Sequence, residues 1–264
     1  RRPSLLSTRA TRATRALPGR PVPEVPVILA IDTSTRWAGV GLTGAGEPIE
    51  LAWHSQQNHG AELMDKILQV LRDRDASVAD IDCVAVAIGP GGFSALRVGL
   101  ATAKGLVAPT GNPIIGISTF DLEAMSHWPT RRPLVATIDA GSSGLAWARY
   151  VAPKAQHSRP PPEFPLAVYR VETGLCLPQE LVKSAPASAL FCGERAPELG
   201  KLVGEARILS SEPPTRRPQN LALLAGRRLA DGDVDDPMTL QPEYARPPSI
   251  SKSTPLSNSL TILS

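Results

Sequence analysis

Cysteine is scarce in this chain of 264 residues: Cys83, Cys176 and Cys192 stand alone, with no Cys-x-x-Cys spacing. That argues against a disulfide framework and a cysteine zinc site, and it favours a reducing compartment. No apolar run approaches the length of a membrane span. An excess of one charge is also missing. The net charge is only +3, and part of it sits in the first 26 residues, so charge alone implies no nucleic-acid face. Acidic residues are absent before Glu24, where Arg1, Arg2, Arg9, Arg12, Arg15 and Arg20 are interspersed with Ser, Thr, Ala and Pro. That composition suits an organelle transit peptide and equally an unstructured extension, and either way residues 1–26 are expected to lie outside the fold. The polar, Ser-rich segment 247–264 is expected to be disordered. The remainder has the apolar fraction and mixed charge of a soluble, cytoplasmic globular protein, long enough for two modest cores.

The chain is organised around Val84 to Gly105, VAVAIGPGGFSALRVGLATAKG. Its apolar opening, Cys83 to Ile88, reads as a buried strand, and Gly89-Pro90-Gly91-Gly92 stops it. From there Phe93, Leu96, Leu100 and Val107 recur at helical spacing. A helix leaving such a turn offers free backbone N–H groups and a dipole that favours an anion. The spacing is neither that of the P-loop nor that of the dinucleotide fingerprint, so a tight connection between two buried elements explains the glycines equally well.

The chain then runs twice through one order of elements. Val27 to Asp32 is an apolar strand ending in a carboxylate, and Thr33-Ser34-Thr35 is a polar turn. Trp37 to Leu42 and Ile49 to His54 return as strands before a helix from about Gly60 to Arg72. The second pass opens with Pro133 to Asp139, turns at Ala140 to Gly144, and returns through Leu145 to Val151 and Leu166 to Val171. Strands near Ala189 to Cys192 and Arg207 to Leu209 follow, with helices near Ala196 to Val203 and Gln219 to Ala230. Strand-Asp-turn-strand in duplicate predicts a two-lobed α/β protein on the ground plan of the actin, sugar-kinase and Hsp70 ATPase superfamily, the ASKHA or RNase H-like fold. The expected division is 27–118 for the N-terminal lobe and 119–246 for the C-terminal lobe.

In that superfamily the two turns cradle phosphates and the carboxylates hold metal-bound water. The candidate phosphate-binding residues are therefore Asp32, Thr33, Ser34, Gly89, Gly91, Gly92, Ser94, Asp139 and Gly141. A plainer reading has Asp32 and Asp139 capping their own turns and Ser94 capping the helix. The first turn holds no glycine, which hinders close approach of a ligand.

Two helices carry more apolar surface than one buried stripe needs. Leu63, Ile67, Val70 and Leu71 form one row, and Met64, Leu68 and Leu71 form the next. The helix after the glycine turn sets Ala95, Gly99 and Ala103 on one side with Leu96 and Leu100 beside them. Burial under a twisted sheet accounts for this, and so does a helix pair that docks on a partner. On the docking reading the interface is Leu63, Met64, Ile67, Leu68, Leu71, Leu96, Leu100 and Ala103.

Ile28 to Thr35, Gly89 to Gly99, Ile115-Gly116-Ile117-Ser118-Thr119 and Ile138-Asp139-Ala140 together resemble the TsaB (YeaZ) family. Pro242-Glu243-Tyr244-Ala245-Arg246 is similar to the family's closing Pro-x-Tyr-x-Arg, so the resemblance covers about Val27 to Arg246. It implies an actin-like fold without catalysis of its own. Its expected role is a scaffold in the complex that adds threonylcarbamoyl to N6 of adenosine 37 in ANN-decoding tRNAs. The implied partners are a catalytic TsaD-like subunit, docked through N-terminal-lobe helices, and in bacteria a TsaE-like ATPase. Under the same resemblance tRNA is met through the complex, a homodimer could reuse the docking face, and ATP or ADP with Mg is expected only in the complex.

The departures from the family pattern remove charges rather than framework. Gly92, Ser94 and Ala95 stand where the family usually carries Ser, Thr and Gly; Gly60-Ala61 replace Ser-Glu; Gly141 and Gly144 replace Arg and Glu. TsaD-like enzymes hold a metal through two histidines one helical turn apart, and His54, His59, His127 and His157 include no such pair. No histidine lies near Ser94 in sequence, so metal-dependent and triad peptidase readings both fail. An autonomous actin-like phosphotransferase remains the alternative. It is weakened because Phe191-Cys192-Gly193-Glu194-Arg195 only faintly matches a glycine-rich adenosine loop.

Overall fold

The computed structural model describes residues 25–44, 46–55, 59–128, 130–151, 169–209 and 218–245. The expectations for the two chain ends, and for Arg246 in the closing motif, fall outside these residues. Strands β1 (Ile28–Asp32), β2 (Trp37–Thr43), β3 (Ile49–His54), β4 (Cys83–Gly89) and β5 (Ile114–Ser118) form one sheet in the order β3-β2-β1-β4-β5. Strands β6 (Leu134–Asp139), β7 (Leu145–Tyr150), β8 (Arg170–Cys176) and β9 (Leu190–Cys192) form a second in the order β8-β7-β6-β9. β1 pairs antiparallel with β2 and parallel with β4; β6 pairs antiparallel with β7 and parallel with β9. The two halves thus repeat the arrangement of four strands that the duplicated sequence order predicts, and β5 has no counterpart in the second sheet among the described residues.

Alternation along the strands decides the layers. In β1, Ile28 and Ala30 point to a layer between the sheets, while Leu29 and Ile31 point outward to α1 (His59–Asp73) and α2 (Phe93–Val107). Both faces are covered, which is why this strand and β4 read as unbroken apolar runs. The middle layer joins Ala85, Ile115 and Ile117 to Leu134, Ala136 and Ile138 across α3 (Thr119–Met125) and α6 (Pro218–Ala230). A smaller core under the second sheet packs Val135, Leu145 and Phe191 against Leu181 of α4 (Pro178–Ser184) and Leu199, next to α5 (Gly200–Val203). Among the described residues no helix is long and apolar enough to cross a membrane.

Helix α6 belongs late in the chain but lies against β1 and β2 of the first sheet. Two glycines of β2 make its seat. A Cβ on Gly39 would stand 2.8 Å from Pro218 Cγ, and one on Gly41 would stand 2.7 Å from Pro218 Cβ. Past the helix the chain stays with the first sheet. The Arg228 guanidinium donates to the Gly116 carbonyl (2.8 Å) and to Asp233 (2.7 Å), and the Gly116 N–H donates to Asp235 (2.8 Å).

Three element assignments differ from the sequence expectation. The third strand of the second half is Arg170–Cys176 rather than Leu166 to Val171, part of which is not described. It is an edge strand with Val171, Glu172 and Thr173 exposed, so it carries no apolar alternation to announce it. The helix near Ala196 to Val203 is a 3-10 turn, Ala196–Leu199, followed by one turn of α-helix. In place of a strand at Arg207 to Leu209 there is a 3-10 turn, Glu205–Arg207, and a single bridge between Ile208 and Phe191.

Candidate functional site

Asp32 ends β1 and is buried, and its carboxylate is turned on its own turn. Oδ1 accepts from the Ser34 N–H (2.9 Å) and from Ser34 Oγ (2.7 Å). Thr33 Oγ1 donates to the Ala95 carbonyl (2.6 Å) and fills the space that Gly99 leaves in α2. The Ser34 carbonyl accepts the Gly92 N–H (2.8 Å), and a Cβ on Gly91 would overlap that same carbonyl oxygen. The glycine turn is thus needed for close approach of the chain's own backbone. The helix N-cap is Gly92, correcting the expectation for Ser94, which lies exposed within the first turn.

Gly89 has φ +116°, and a Cβ there would overlap the carbonyl oxygen of Glu243. The Glu243 N–H donates to the Ile88 carbonyl (2.7 Å), so residues 241–245 lie along the end of β4. The second carboxylate turn is committed in the same manner. Asp139 accepts from the Gly141 N–H (3.2 Å) and pairs with Arg195, which also holds Glu198; the Asp139 N–H donates to Glu194 (2.9 Å). Gly141 has φ +59°, the left-handed conformation that a tight turn asks of glycine. The turn-capping reading therefore describes both aspartates. The first turn and the glycine turn are thus held to one another by the chain's own backbone, through the Ser34 carbonyl.

Burial pushes the Cys83 thiol up to about 12 and raises Cys192 and Cys176 as well, which keeps these thiols protonated and poor nucleophiles. His54 meets Trp37 edge-on with ring centroids 5.3 Å apart. Burial lowers the pKa of His127.

Where β5 runs into α3, Tyr150 Oη donates to Asp121 (2.6 Å), and Arg170 donates to Ser118 Oγ (3.0 Å) at 3.9 Å from the Asp121 carboxylate. Burial raises the Asp121 pKa, against the opposing pull of Arg170 and the Tyr150 hydrogen bond. A raised carboxyl pKa favours folding below the unfolded value, and that contribution is lost as pH rises through the folded value. Asp121→Asn keeps an acceptor for Tyr150 and does not titrate. Melting temperatures measured from pH 4 to 7 should show the variant gaining on the parent chain as pH rises. A constant difference would mean that Asp121 does not titrate in that range.

The helix face divides in two. Leu63, Ile67, Leu71, Leu96, Leu100 and Ala103 are buried within the monomer, so these six are core residues and not interface residues. Met64 and Leu68 are 44% and 41% exposed. Ala61 is exposed with them on α1, and on α2 the exposed positions include Phe93, Arg97, Ala101 and Gly105, four residues apart. A Cβ on Gly60 would lie 3.9 Å from Val98, which brings the start of α1 against α2, and one on Gly105 would meet nothing within 4 Å. The outward side of α1 and α2 thus mixes apolar positions with exposed Asp65, Ser94 and Arg97. Phe93 belongs to it rather than to the core row with Leu96, being 42% exposed. Its ring lies 5.0 Å from that of Tyr244 and 3.9 Å from the Arg97 guanidinium, and Arg97 Nε donates to Tyr244 Oη (3.0 Å). Sequence reasoning missed this trio. The available signal was Phe93 three residues before Leu96, at the margin of the buried stripe, together with the tyrosine of the closing motif.

The family model described as TsaD, tRNA N6-adenosine threonylcarbamoyltransferase, matches residues 53–164. The chain is 32% identical over 127 residues to the tRNA threonylcarbamoyladenosine biosynthesis protein TsaB of Escherichia coli strain K12, covering 47% of this chain and 54% of that protein. It is 29% identical over 131 residues to the TsaB of Haemophilus influenzae, covering 49% and 56%. The chain thus spans about half the length of the curated relatives it matches. A solved structure from Pseudomonas aeruginosa, described as an uncharacterized protein with similarity to peptidase YEAZ, superposes with a TM-score of 0.66 at 21% identity, covering 84% of this chain and 100% of the other. That likeness shows the fold, the duplicated actin-like, RNase H-like arrangement of two lobes.

Proposed function

We propose that the chain, which is similar in sequence to TsaB proteins, belongs to the TsaB (YeaZ) family and is a non-catalytic partner subunit in the complex that makes threonylcarbamoyladenosine in tRNA. It pairs with a TsaD-like catalytic subunit, with a TsaE-like ATPase and the tRNA joining through the assembly. The observation that carries this reading is the outward side of α1 and α2, where Met64, Leu68 and Phe93 are exposed together with small Ala61, Ala101 and Gly105. Large apolar side chains set among small ones allow close approach of a partner helix, and such a patch favours association. A second copy of the chain could use the same face, because a two-fold contact presents one patch twice. The division into lobes at 27–118 and 119–246, and residence in the cytoplasm, belong to the same proposal.

The committed state of Asp32, Ser34 and Asp139 supports the absence of catalysis by this chain alone. In this reading any ATP or ADP with Mg in the assembly is held by the other subunits. The test is reconstitution of tRNA modification from purified components, with and without this chain. Modified nucleoside should form only when the chain is present. The chain alone should show no Mg²⁺-dependent ATPase activity above that of the Asp32→Ala/Asp139→Ala double variant. An ATPase rate lost in that variant would favour the phosphotransferase instead.

A further inference from the structure

Arg97 and Tyr244 lie 147 residues apart in sequence and meet on the surface of the first lobe. The segment that carries Tyr244 is docked independently of that contact. Leu240 is buried against the first sheet's outer core, the Glu243 N–H donates to the Ile88 carbonyl at 2.7 Å, and the Glu243 carbonyl sits over Gly89. Tyr244 therefore approaches α2 from a fixed base. Its hydroxyl accepts from Arg97 Nε at 3.0 Å, while the Arg97 guanidinium lies 3.9 Å from the centre of the Phe93 ring and the Tyr244 ring packs 5.0 Å from it. An exposed arginine on a helix surface ordinarily samples several rotamers. Here a hydrogen bond and two ring contacts hold one of them, and they hold Phe93 with it. Aromatic and arginine side chains supply much of the binding energy at protein interfaces, and they do so best when ordered before contact.

We propose that Tyr244 is a positioning residue for partner docking: the segment 241–245 fixes Arg97 and Phe93 in the arrangement that the TsaD-like subunit meets. The inference rests on the partner assignment above and adds a coupling between the closing segment and the α2 face. A partner that binds the ordered trio must, by linkage, stabilise the docked segment in return.

The experiment uses the full chain and the purified TsaD-like subunit, with Tyr244→Phe, Arg97→Ala, the double variant and Met64→Asp. Tyr244→Phe keeps the ring and removes the acceptor for Arg97. Each of the two single variants should weaken binding about tenfold, with little change in melting temperature. The double variant should lose no more than the weaker-binding single, because Tyr244 acts through Arg97. Additive losses, or full affinity in Tyr244→Phe, would overturn the inference. Loss of binding in Met64→Asp alone would leave the docking face in place and remove only the role of Tyr244. A parent chain that does not bind would remove the partner reading itself. Hydrogen exchange on the isolated chain gives a partner-free check: Tyr244→Phe should speed exchange at the amides of residues 93–97, and unchanged exchange there would also overturn the inference.

Discussion

Met64→Asp should weaken binding to the TsaD-like partner by about 100- to 1000-fold while the monomer melts where the parent chain does. The size follows from two losses. Burying a methionine is worth roughly 1.5–3 kcal/mol, and a carboxylate placed under a partner must also shed water, at no less than the cost of a neutral polar group, about 1–3 kcal/mol. Each 1.4 kcal/mol or so is a factor of ten in affinity. The monomer is spared because the side chain is 44% exposed before any partner binds. Leu68→Glu should behave alike, and any homodimer built on the face should disappear with either change. Calorimetric titration beside thermal melting decides the matter. A destabilised monomer would return Met64 to the core, and unchanged binding would place the interface elsewhere.

Gly91→Ala should be the most damaging single methyl in the first lobe. The added Cβ overlaps a backbone carbonyl, that of Ser34, which cannot rotate aside as a side chain would. Either the β1 turn or the glycine turn must shift, and the Ser34–Gly92 hydrogen bond goes with it. A cost of roughly 3–5 kcal/mol is expected, the range of severe core defects, which corresponds to about 10 °C in melting temperature for a domain of this size. Gly105→Ala is the matched control. It lies in a helix with open space around it, so alanine should raise stability slightly through backbone entropy. If Gly91→Ala melted with the parent chain, the Ser34 carbonyl would not fill the turn as the close approach implies.

What the sequence disclosed and what it hid follow one rule. β1 and β4 were legible because burial on both faces makes every residue apolar, whereas β8 was not, because an edge strand is free to be polar. Asp32 two residues before Ser34 was readable as a turn cap, a local pattern that needs no tertiary knowledge. The helix rows were harder. Periodicity grouped Leu63 with Ile67 and Met64 with Leu68, but it could not say which row faces the sheet, so six core residues were counted as interface. The contact of Tyr244 with Arg97 had no local signature at all, since only the folded chain brings the two together.

The seat of α6 on Gly39 and Gly41 has a consequence for the order in which the protein is made. A ribosome releases β5, ending at Ser118, 100 residues before Pro218 emerges, by the difference of those two numbers. At a synthesis rate of about 5–20 residues per second, the nascent first sheet waits on the order of 5–20 s for the helix that covers its inner face. Over that interval the strands that end next to α6 present apolar side chains to solvent, with pairing partners in the same unfinished state on neighbouring ribosomes. A nascent chain stalled between these two points should therefore be a strong client for a ribosome-associated chaperone, and release from that chaperone should coincide with emergence of the segment 218–245.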